Sequence, residues 1–135
     1  MDKAFWLGFA AYLLPTFPLG YVWHLKLFRG SYERLDIFRD EVIIPFGILS
    51  MVIQGLVFSW CYPRLFTTAH DDWWKGALGF GLVFGGLAFS FAVLPVAAKY
   101  RMTSVDDFVR IETLFTVLQF GIVAPLIALA HRQPL

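Results

Sequence analysis

Four long apolar stretches alternate with short charged ones along this chain. Residues 4–24, 42–63, 76–98 and 106–130 each approach the twenty or so apolar residues with which an α-helix crosses roughly 30 Å of hydrocarbon. The second stretch, Val42 to Pro63, has no formal charge. Its polar content, Gly47, Ser50 and Gln54, recurs at helical steps and so shares one face, which is expected to look at protein while the other faces meet lipid.

The segment between the first two stretches is patterned differently. Phe28, Tyr32, Leu35, Phe38 and Val42 fall on one helical face, with Lys26, Arg29, Glu33, Arg34 and Asp36 among the charges around it. This predicts an amphipathic helix over about residues 28–41, lying at the membrane interface. Arg29 and Glu33 stand at the i,i+4 spacing of a solvated helix pair, so the charged face needs no ligand to explain it; a partner subunit is the alternative.

A cationic start before an apolar run can mark a secretory signal, but no small-x-small cleavage site closes this run, so the first span is expected to be retained. Pro15 and Pro18 predict a bend in it, and Trp6 and Trp23 are placed to anchor its ends at the headgroups. In the third span Ala77, Gly81 and Gly85 form a small-xxx-small ladder, with Gly79, Gly86 and Ser90 added to the same surface; it lets another helix approach closely, either within the chain or from a second one. In the fourth, Ser104 reads as an N-cap, and Glu112, Thr116 and Gln119 share a face. Gln54 and Gln119 lie at similar depth from the charged boundary, and their amides are expected to meet.

Composition narrows the classes. An apolar fraction of 59% in 135 residues marks a membrane protein, and a net charge of +1 leaves no basic surface for nucleic acid. One cysteine, Cys61, excludes an internal disulfide and any cysteine metal cluster.

Few groups offer chemistry. A carboxylate at the depth of Glu112 needs neutralising, by Arg110, Arg39 or Lys99, unless it reaches the headgroups or handles protons or cations. His24 and His131 end spans at opposite faces and are not expected to share a haem or metal. His70, Asp71, Asp72 and His131 share a side, but their spacing matches no recognised ligand pattern, so no cofactor is predicted. No nucleophile–base pair, phosphate loop or paired catalytic carboxylate is present. Basic residues are more numerous on the side of the first and third connections, so that side is expected in the cytoplasm and both termini outside.

At Pro45-Phe46-Gly47, Ser50-Met51, Gln54-Gly55, Ala97-Ala98-Lys99 and Gln119-Phe120 the chain resembles a group of small bacterial four-span membrane proteins. The resemblance implies a compact four-helix unit, here in a bacterial inner membrane, and carries no catalytic residue across. The expected fold is an all-α bundle of four transmembrane helices with an interfacial helix between the first two. The expected function is that of a non-enzymatic accessory, stabilising or assembly subunit of a larger membrane complex, with lipid and other subunits or further copies as partners. The alternatives are a small oligomeric transporter using the polar stripes of the second and fourth helices, and a cofactor- or metal-binding membrane protein.

Overall fold

Asp2 opens helix α1 (Lys3–Val22), where its carboxylate accepts the Phe5 N–H at 3.0 Å and satisfies one of the donors that a helix start leaves free. The computed structural model describes residues 2–134, and about four in five of them are helical. Helix α1 runs on through Pro15 and Pro18. It gives way at Trp23–Leu27, where one turn is wound as a π-helix, so the first span extends from Lys3 to Leu27.

Helix α2 (Arg29–Leu35) is only seven residues long, half the length expected from the periodicity. Asp36 stops it by adopting left-handed backbone, φ 57°, which a short polar side chain tolerates better than most. Phe38 then folds back and stacks on Tyr32, with ring centres 4.6 Å apart and planes within 7°. The apolar positions beyond Leu35 therefore serve a loop, and Val42 is exposed.

The other spans are α3 (Ile44–Leu65), then α4 (Trp73–Ala88) continued by a second π-turn (Phe89–Val93) and α5 (Leu94–Lys99), then α6 (Val105–His131). Pro45 stands in the first turn of α3, where a missing N–H costs nothing, and Pro95 follows closely on the second π-turn. Ser104 caps α6 by accepting the Asp107 N–H at 3.2 Å, with Asp106 and Asp107 in the favourable first turn. Each span is long and apolar enough to cross a membrane, and the fold is an all-α, four-helix membrane bundle.

In lipid the apolar surface itself does not drive helices together, so close fit must. α1 lies against both α6 and α3, α4 packs on α6, and rings of α3 meet rings of α4. The ladder of α4 makes that last contact within the chain. A Cβ on Gly81 would lie 3.3 Å from Ala124 Cβ, and one on Gly85 3.3 Å from the Phe120 ring, while Ala77 is buried in the same cluster. Gly79 meets Phe66 instead and Ser90 is exposed, so neither joins this contact, while Gly86 is exposed beside Gly81 and Gly85.

Two aromatic-rich clusters hold the ends. Tyr12, Tyr62, Phe80 and Phe120 centre one; Trp23, Tyr32, Val93 and Phe108 centre the other. Trp6 is exposed, but Trp23 is buried and lies against Phe28 and Phe115, so it is a core residue rather than a headgroup anchor.

Candidate functional site

Aromatic rings decide where the bundle closes. Phe58 and Tyr62 from the C-terminal half of α3, and Phe66 just beyond its end, meet Phe80 and Phe84 of α4, with centroids 4.8 to 6.1 Å apart. The N-terminal half has no such contacts, and residues 41–50 are exposed throughout. Between this half of α3, α1, the second π-turn and α6 lies a groove of about 800 Å³. Ile48, Met51, Phe84, Leu87 and Phe91 line it with apolar surface, and polar groups converge on it from three spans. A mainly apolar cavity of this size with a few placed polar groups is the usual form of a small-molecule site.

At one end of the groove, Tyr12 joins the two glutamines. Its hydroxyl donates to Gln54 Oε1, and Gln119 Nε2 donates to that hydroxyl at 3.4 Å. Gln54 Nε2 in turn donates to Ser50 Oγ at 3.1 Å. The expected direct Gln54–Gln119 bond is therefore replaced by a bridge, because the bulky Tyr12 side chain of α1 stands between α3 and α6. The face bearing Gly47, Ser50 and Gln54 looks into this groove rather than against a helix. Thr116 donates to the Glu112 carbonyl of its own helix at 2.8 Å, so its hydroxyl is satisfied locally.

At the groove's other end Glu112 is neutralised by neither Arg110, Arg39 nor Lys99. Glu112 Oε1 accepts the Tyr32 hydroxyl and lies 3.3 Å from His24 Nε2. The π-turn presents His24 here, and such turns recur at functional sites because one added residue re-aims the side chains. His24 Nδ1 is 2.9 Å from the Gly20 carbonyl, which fixes Nδ1 as a hydrogen donor. Tyr32 is fully buried; burial, then the Glu112 charge and bond, push its phenol well above the ordinary range, so it stays protonated.

Two buried polar atoms near these clusters have no hydrogen-bond partner, Thr16 Oγ1 and Trp23 Nε1, and Thr16 lines the groove. Sequence alone gave no reason to single out Tyr12, Thr16, His24 or Tyr32 as a set, because their partners lie on other helices.

The remaining histidines do structural work. Ser59 donates to the Phe5 carbonyl at 2.5 Å, so His131 Nε2, at 3.1 Å, must donate to Ser59 Oγ; this is the wrong direction for activating a nucleophile. His131 also stacks on Tyr62. His70 Nδ1 accepts from Arg132 at 3.0 Å, which occupies its lone pair, although Asp71 lies 3.1 Å away. Asp72 pairs with Lys75 at 2.7 Å. Of the four weak metal candidates, His70 and Asp71 lie together while Asp72 and His131 are engaged elsewhere, and among the described residues no three His, Cys, Asp or Glu side chains gather to hold an ion. Comparison of the chain with family models, with curated proteins and with solved structures gives no match.

Proposed function

We propose that this protein is a small membrane carrier that takes an amphipathic molecule laterally from the bilayer into the groove between α1, α3 and α6. The observation that carries this reading is the roughly 800 Å³ cavity whose apolar wall continues the lipid-facing surface of α3 while Tyr12, Gln54, Gln119, His24 and Glu112 line its interior. An apolar tail suits the wall, and a polar head suits the interior groups. The reading takes the chain as an inner-membrane protein of a bacterium, and the excess of Lys and Arg on the side of Arg29, Arg34 and Arg39 supports a cytoplasmic position for that connection, with both termini outside.

A second reading, an accessory subunit of a larger membrane complex, has its own support. Along α4 and α6 runs another apolar cavity of about 860 Å³, lined by Gly81, Gly85, Gly86 and Gly121, where a further helix can approach closely. Gentle extraction followed by native mass spectrometry separates the two. The carrier reading expects a lipid-sized molecule retained by the wild-type protein and lost from Ala88→Trp, which fills the groove. A protein partner retained equally by both, with no small molecule, supports the subunit reading instead.

A further inference from the structure

We infer that Glu112 with His24 forms an exchange site at which a monocationic amphiphile replaces a proton, an assignment that rests on the groove being a ligand site. The Gly20 carbonyl can only accept, so His24 Nδ1 carries its hydrogen whatever the ligand state. The other ring nitrogen faces Glu112 Oε1 at 3.3 Å, and two bare lone pairs would repel across that gap. One further proton therefore belongs to the pair, on imidazolium beside carboxylate or on Glu112 beside neutral imidazole. Either way the pair is neutral with the proton and anionic without it.

The surroundings favour a cation as the replacement. Both side chains keep some exposure, 24% for His24 and 16% for Glu112, and both line the groove. Tyr32 on α2 donates to Glu112 and steadies the carboxylate. Tyr12 and Tyr21 on α1 add phenols, while α3 and the third span bring no titratable side chain to the groove lining. Arg39, in the loop before α3, is the one guanidinium there and opposes a cation. It shares that loop with Asp36, Asp40 and Glu41, and three acids against one base leave the loop net negative. In the exchange an ammonium head enters, the pair releases H⁺ to water, neutral His24 keeps Nδ1–H on Gly20, and the Glu112 carboxylate pairs with the ammonium. No covalent bond forms or breaks apart from that proton transfer.

Titration calorimetry on the full chain in lipid nanodiscs tests this with three probes of equal tail length: dodecyltrimethylammonium, dodecyl sulfate and dodecanol. Repeating each titration in buffers of different ionisation heat counts the protons released. The cation is expected to bind saturably, to release about one proton, and to gain about tenfold in affinity per pH unit while the pair is loaded. Glu112→Gln keeps an acceptor for Tyr32 and is expected to weaken the cation at least about tenfold and flatten its pH dependence. Saturable cation binding with no proton release in the wild type overturns the exchange whatever the variant does. If dodecyl sulfate or dodecanol binds saturably and the cation does not, the groove reading stands and the cation assignment falls. If no probe saturates, the groove reading itself falls.

Discussion

The Tyr32 hydroxyl donates to the Glu112 carboxylate across 80 positions of sequence, tying the short helix after the first span to the fourth span. Tyr32→Phe keeps the ring that stacks on Phe38 and removes only this bond. A bond to a charged acceptor is worth about 1.5–3 kcal/mol, and the variant is expected to lose an amount in that range in thermal unfolding within nanodiscs.

The same residue sets an alkaline limit. Below about pH 10, the ordinary phenol value, neither folded nor unfolded chain loses the proton, so the contact is intact. The folded phenol is held higher, by burial first and then by Glu112, so above that pH the unfolded chain ionises first and stability falls as pH rises. Unfolding measured as a function of pH is expected to show this fall in the wild type and a smaller one in Tyr32→Phe. Parallel curves would contradict the buried contact.

Tyr12 bridges Gln54 and Gln119, so these glutamines should be coupled through it. Each Gln→Leu variant is expected to cost about 0.6 to 2 kcal/mol, and the double variant less than the sum. In a Tyr12→Phe background the coupling should vanish. Coupling that survives the loss of the hydroxyl would mean that the amides meet directly.

Two glycines give opposite expectations. A Cβ on Gly8 would lie 2.5 Å from His131 Nε2, and that ring is held by Ser59 and Tyr62, so Gly8→Ala is expected to cost about 1–3 kcal/mol. A Cβ on Gly86 meets nothing within 4 Å, so Gly86→Ala should be neutral or gain up to about 1 kcal/mol from helix propensity. Thermal unfolding of both variants in parallel checks the pair.

A reporter active only in the cytoplasm is expected to be silent when fused after Leu135 and active when inserted near Gly30. The reverse pattern would show that the small excess of basic residues on that side does not set the orientation.

The spans were legible because length and apolarity alone report a bilayer crossing, and Ser104 was legible because a cap is a local bond. What depended on distant partners was not. Phe28, Tyr32, Leu35, Phe38 and Val42 keep helical period, yet Asp36 turns the chain and Phe38 returns to Tyr32, a contact that periodicity cannot distinguish from a continuing helix. Trp23 looked like an anchor because it ends an apolar run, but the π-turn carries it inward, and no Gly or Pro within Trp23–Leu27 announces that turn. No local pattern pairs His24 with Glu112, which is 88 positions away. Gln54 and Gln119 do come within reach of one hydroxyl, but the residue that joins them comes from a helix whose own pattern gives Tyr12 no special mark.

The groove as a ligand site is tested most directly by photolabelling in native-like lipid with an alkyl amphiphile that carries a diazirine on its chain, followed by peptide mass spectrometry. Adducts are expected to concentrate on Ile48, Met51, Leu87 and Phe91 of the groove lining and to disappear when unlabelled amphiphile is added in excess. Adducts spread evenly over outward residues such as Leu14 and Leu114, and unaffected by competitor, would mean that the chain meets amphiphiles only as bulk lipid and that the groove holds none.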